Sequence, residues 1–167
     1  MEVPLRTPPS YNPSMPTLFQ KLNFKSHPAI HVCNAPASFQ PALEEVRTLT
    51  TIHTKLPKKG PVTFALAFAT KQSEVDAFAQ SIATLAEGDA VLWVAYPKGT
   101  SKKYKCEFNR DNGWAEFGEV GFEPVRMVAI DEDWSALRFR RVEHIKTMTR
   151  STALTAQGKK RIAAKKS

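Results

Sequence analysis

The apolar positions of this chain fall into two rhythms. VTFALAFAT (62–70) and VLWVAY (91–96) are almost unbroken apolar runs rich in β-formers, as expected of strands covered on both faces. Between them, EVDAFAQSIATLA places Val75, Phe78, Ile82 and Leu85 on one helical face. Ser73 stands where an N-cap belongs, with Asp76 completing a near capping box, and Gly88 where the helix would end. This strand, helix, strand order is the unit from which parallel sheets are built.

The same unit is repeated upstream in weaker form. AIHVCN (29–34) predicts a short strand, and Ser38 is the expected N-cap of FQPALEEVRTL, with Pro41 in its first turn and Leu43, Val46 and Leu49 on one face. TIHT (51–54) predicts a second short strand, and LPKKGP (56–61) a loop. Downstream, residues 112–122 predict a short helix closing near Gly121. PVRMVAI (124–130) and WSALRFRRV (134–142) then flank the acidic connector Asp131, Glu132, Asp133 as a hairpin, its last strand an antiparallel edge with Arg138 and Arg140 outward. Trp93, Trp114 and Trp134 are expected in the core, the first and last packed under the short helix that carries the second. The fold class predicted is α/β, a three-layer Rossmann-like arrangement whose mostly parallel sheet ends in an antiparallel β-hairpin.

With 167 residues, 42% of them hydrophobic, the chain suits one domain, placed at 18–145. Before it, residues 1–17 read as an extended arm, because Pro4, Pro8, Pro9, Pro13 and Pro16 remove amide donors. After it, residues 146–167 read as a flexible basic tail. The tail changes the meaning of the net charge of +8: it holds seven cations and no acid, which leaves the body nearly neutral. Any weak, non-specific nucleic-acid binding is therefore expected from Lys159, Lys160, Arg161, Lys165 and Lys166, where solvated cations can release counterions from phosphates. KGTSKKYKCEF (98–108) interleaves lysines with aromatics, but a solvated loop with its rings tucked inward is the expectation.

Two cysteines far apart, Cys33 and Cys106, imply no disulfide framework and fit a reducing cytoplasm. No apolar run approaches a membrane span, so no membrane partner is expected. The four histidines, His27, His31, His53 and His144, show no metal-ligand spacing. The three connector acids are expected to be turn formers.

LAEGDAVLWVAYPK followed by GEVGFEPVRMVAIDEDWSALRFRRV resembles, over roughly residues 62–142, the second half of a class I methyltransferase-type Rossmann fold, in which the sheet finishes with an antiparallel hairpin. LWVAYPK together with DEDWSALRFRR is also similar to the small bacterial proteins grouped as domain of unknown function 3052, over about residues 17–142. That second resemblance implies no activity. The first implies S-adenosylmethionine, which needs a Gly-rich turn after the first strand and an acid after the second. The turn here is CNAPASF, without glycine, and TIHTKLP contains no acid. No cofactor is therefore expected. The expected function is non-catalytic binding of a small anion or a protein partner, with nucleic-acid association through the tail and a divergent methyltransferase as alternatives. A ligand would sit beyond the carboxyl ends of the parallel strands, at Asn34, Ser38, Thr70, Lys71, Tyr96 and Lys98.

Overall fold

The computed structural model describes residues 17–109, 112–145, 154–155, 158–160 and 162. Six strands form one sheet: β1 (Ala29–Cys33), β2 (Thr51–His53), β3 (Val62–Phe68), β4 (Ala86–Pro97), β5 (Phe122–Ala129) and β6 (Trp134–Arg141), in the order β2-β1-β3-β4-β6-β5. The first four are parallel, and β6 and β5 add antiparallel strands beyond β4. Helices α1 (Leu18–Lys21) and α2 (Gln40–Val46) cover one face, and α3 (Gln72–Leu85) and α4 (Ala115–Glu119) the other. The predicted three-layer α/β class and its terminal hairpin are thus present.

Side-chain alternation along the central strands explains why both faces bury. In β4, Leu92, Val94 and Tyr96 enter the core under α3 and α4, while Val91, Trp93 and Ala95 enter the core under α1 and α2. On β3 the split is by size. Ala65 and Ala67 lie beneath the long helix α3, whose Val75, Ala79 and Ile82 pack down on them, whereas Phe64, Leu66 and Phe68 fill the face that the short helices cover sparsely. Helix α1 is a single turn that hydrophobic periodicity is too short to announce. Thr17 caps it, and Trp93 Nε1 donates to the Leu22 carbonyl at 2.7 Å, fixing its end to the sheet.

Several local expectations are corrected. β6 is interior, bonded to both β4 and β5, and β5 is the edge. The β6 arginines have partners: Arg138 Nη1 donates to Asn23 Oδ1, and Arg140 pairs with Asp89 in a partly exposed ion pair. The tryptophans are all buried, but Trp93 and Trp134 belong to the α1/α2 core and Trp114 to the opposite one. α3 begins one residue before Ser73, and it gives way directly to β4 at Ala86, so Gly88 lies in an irregular stretch of strand rather than at a helix end. Ser38 sits inside the 3₁₀ turn Ala37–Phe39 and caps nothing.

The crossover from β2 to β3 passes β1 through residues 54–61 with no helix among them. Gly60 allows this loop to lie against the end of α3, where a Cβ would stand 2.7 Å from the Leu85 carbonyl oxygen. A parallel crossover usually carries a helix, and its absence leaves space over the end of β1.

Candidate functional site

The carboxyl ends of the parallel strands carry two separate concavities. A crevice of about 370 Å³ opens at the ends of β1 and β3, lined by Cys33, Asn34, Lys55, Leu56 and Glu74 among others. It lies where neighbouring strands send their connections to opposite faces, the usual ligand position of such sheets. A pocket of about 800 Å³ opens at the end of β4 and the start of β6, lined by Tyr96, Lys98, Tyr104, Lys105, Phe108 and Ser135 among others. Both volumes are within the range of small-molecule sites.

Between them lies the N-terminus of α3, stitched by two carboxylates. Glu74 Oε1 accepts from the amides of Thr70 at 3.1 Å and Lys71 at 3.0 Å. Glu107 Oε1 accepts from the Gln72 amide at 2.8 Å, and its own amide donates to the Thr70 carbonyl. These acids supply the complement that a helix N-terminus attracts. An external anion has no claim on that position.

The six sequence candidates consequently divide. Asn34 lines the crevice at φ 59°, a left-handed conformation that Asn tolerates and that supplies the turn without glycine. Tyr96 and Lys98 line the larger pocket. Thr70 and Lys71 are engaged through their amides in the α3 stitching, Lys71 with its side chain exposed, and with Ser38 they line neither concavity. Of the tail candidates, Lys159 and Lys160 are exposed on a short helical segment, while Arg161, Lys165 and Lys166 lie outside the described residues.

The pocket at β4 is built by the two motif stretches together. Pro97 stands opposite Trp134 and Tyr96 opposite Ser135 in the β4–β6 pairing, and the Lys98 amide donates to the Asp133 carbonyl at 2.8 Å. Asp131 Oδ1 accepts from the amides of Asp133 and Trp134, and Asp133 Oδ1 from the Ser101 hydroxyl at 2.8 Å. Two of the connector acids are therefore turn formers, as expected. Ser101 Oγ in turn accepts from the Lys103 and Tyr104 amides, which fixes the loop that closes the pocket.

Rings from both cores meet there. Tyr96 packs 6.0 Å from Phe108 and 5.5 Å from Trp114, and Tyr104 packs 4.8 Å from Trp134. The rings of the 98–108 loop are tucked inward as expected, Phe108 buried and Tyr104 half-buried, but the sequence did not place them beside the strand end, and Ser135, a small polar residue in a strand, gave no signal. Burial raises the Cys106 thiol pKa, an effect that the Phe108 backbone bond only partly offsets and the Glu107 charge reinforces. The thiol form is favoured and a thiolate nucleophile disfavoured. Among the described residues no group of three or more metal-ligating side chains occurs, and no helix is long and apolar enough to cross a membrane.

Comparison with solved structures assigns the fold. A SAM-dependent methyltransferase from Aquifex aeolicus superposes with a TM-score of 0.53 at 12% identity, over 74% of this chain and 87% of that one. The pyocyanin biosynthetic protein PhzM gives 0.50 at 9% identity, over 74% of this chain and 52% of PhzM. The architecture is thus the methyltransferase-type Rossmann fold. No protein-family model and no curated protein matches the chain.

S-adenosylmethionine can be tested against the crevice. Its glycine turn is replaced by Asn34 in a left-handed conformation, but Thr54, Lys55 and Leu56 follow β2 where an acid for the ribose hydroxyls would stand. Glu74 is the one acid among the lining residues, and it arrives from α3 with Oε1 committed to amides. The residues at the fingerprint positions do not fit the cofactor.

Proposed function

We propose that this chain is a ligand-binding domain of methyltransferase type that holds a small organic molecule in the pocket at the end of β4. The observation that carries the reading is the junction of LWVAYPK and DEDWSALRFRR: the two stretches are antiparallel neighbours, and the pocket opens where they meet. The protonated thiol of Cys106 supports binding over covalent chemistry.

A second reading, a divergent S-adenosylmethionine-dependent methyltransferase, draws on the fold likeness and on the crevice beside the pocket. The comparisons lean toward this reading, and the fingerprint positions lean away from it. NMR of the ¹⁵N-labelled full chain separates the two. Small organic fragments are expected to shift residues 96–109 and 135, and S-adenosylmethionine to leave the spectrum unchanged. Micromolar S-adenosylmethionine binding that shifts Cys33, Asn34 and Lys55 would replace the first reading with the second, and fragment shifts confined to other surfaces would remove the first.

A further inference from the structure

Ser135 lies on β6 at the floor of the pocket and is only 7% exposed, yet its hydroxyl makes no hydrogen bond to any described residue. Ser135 Oγ is nonetheless reached by solvent from the pocket, so an entering ligand can take the place of water on it. Its opposite residue on β4 is Tyr96, and Lys98, two positions beyond Tyr96, lines the same space.

Among the residues lining the pocket, two lysines outnumber one acid. Lys98 and Lys105 line the pocket and take part in no ion pair among the described residues. The lining acid, Glu107, is turned to the α3 amide of Gln72, where the helix terminus offsets its charge. Asp133, which does not line the pocket, accepts from the Ser101 hydroxyl. An entering anion thus meets two uncommitted ammonium groups and one uncommitted hydroxyl.

The remaining walls are rings. Tyr96 and Phe108 are buried and backed by Trp114, and Tyr104 is half-buried and backed by Trp134. Their positions are set by packing in two different cores, so a planar ligand would find them pre-placed.

Resting on the ligand-binding reading above, we propose that the pocket at the end of β4 takes a planar aromatic acid, its anionic group received by Ser135 Oγ and Lys98 Nζ and its ring by Tyr96, Tyr104 and Phe108. The test uses the full chain with three probes in calorimetry: 2-naphthoate, the neutral 2-naphthol, and cyclohexanecarboxylate, which keeps the charge but not the plane. 2-Naphthoate is expected to bind tightest. Ser135→Ala and Lys98→Met are each expected to weaken it by about tenfold, as loss of a hydrogen bond to a charged group implies. Ser135→Ala should leave the melting temperature unchanged, since that hydroxyl bonds to nothing within the fold, and this separates a lost ligand contact from a damaged fold. Equal binding of 2-naphthol, equal binding of cyclohexanecarboxylate, or undiminished 2-naphthoate binding by both variants overturns the aromatic-acid assignment while the pocket reading survives. Absence of binding by all three probes overturns the pocket reading itself.

Discussion

Glu123 Oε2 accepts both the amide and the hydroxyl of Thr155, each at 2.6 Å, while Glu123 Oε1 accepts the Leu154 amide at 2.8 Å. Glu123 is 1% exposed. The Thr155 hydroxyl also accepts from the Gly158 amide, capping the short helical segment that follows, and Ile162 packs on Ile145. Gly118 of α4 makes room for this approach, since a Cβ there would lie 2.6 Å from the Leu154 side chain. At these described residues, the segment expected to be a flexible basic tail contacts the domain.

Deleting residues 146–167 should therefore destabilise the domain as well as remove charge. The deletion strips a buried carboxylate of every donor named above, and such a loss costs on the order of 3 kcal/mol. Thr155→Val keeps the amides and removes the hydroxyl, so a loss of about 1–2 kcal/mol is expected. Urea denaturation measures both. A truncated chain with an unchanged midpoint would mean that Glu123 does not depend on Leu154 and Thr155. Any nucleic-acid experiment with this truncation must be read beside that midpoint.

The α3 N-terminus offers a second stability test. Glu107→Ala frees the first helical amide, that of Gln72, and Glu74→Ala frees those of Thr70 and Lys71 just before it; each should cost about 1 kcal/mol, the usual scale of a lost cap. Ser73→Ala should change little, because Ser73 is an exposed residue within the first turn. The reverse ranking in thermal melts would restore the serine to the capping role its sequence position suggested.

These helix starts show where sequence reading succeeds and where it stops. The apolar runs 62–70 and 91–96 identified β3 and β4 because burial on both faces leaves no polar alternation to misread. Ser38 and Ser73 misled because Ser38 is absorbed by a 3₁₀ turn and the α3 cap is shared by Glu107, contributed from 35 residues downstream. Arg138 and Arg140 read as solvent-facing because their partners, Asn23 and Asp89, come from distant segments. The larger pocket was legible at Tyr96 and Lys98, on the strand end. Tyr104 and Phe108 stood out in the lysine-rich loop 98–108, but their place beside the strand end, like that of Ser135, comes from loop closure and strand pairing, which no local pattern encodes.

Both thiols should resist alkylation. Burial raises Cys33 and Cys106 above the ordinary thiol range, in each case against a smaller lowering effect of a backbone hydrogen bond, from Leu56 and Phe108 respectively. At pH 7.5 iodoacetamide should modify the native chain more slowly than free glutathione, and urea should abolish the difference. If Cys106 reacts faster than glutathione, it is an activated thiol, and the case against covalent chemistry in the pocket collapses.

The last expectation concerns acid. His31 on β1 stacks on His53 of β2 with ring centroids 5.0 Å apart, and its Nδ1 donates to the Lys55 carbonyl at 3.1 Å. Burial lowers the His31 pKa below the ordinary 6.5, the Lys55 bond opposes that, and the neighbouring His53 lowers it further. His27 is also lowered, by burial first and then by Lys25 and Arg138. Near and below pH 6.5 the unfolded chain thus binds more protons than the folded one, so stability rises with pH. The contribution is present above 6.5 and disappears as pH falls through the lowered folded values. Asp89, held below the usual carboxylate range chiefly by its hydrogen bond from Arg140, adds a separate loss at more acid pH, as pH falls past 3.8 toward its lowered folded value. The urea midpoint should therefore fall between pH 7.5 and pH 5, with a shallower slope in His31→Gln and shallower still when His27→Gln is added. A slope untouched by both substitutions would place the acid sensitivity elsewhere in the molecule.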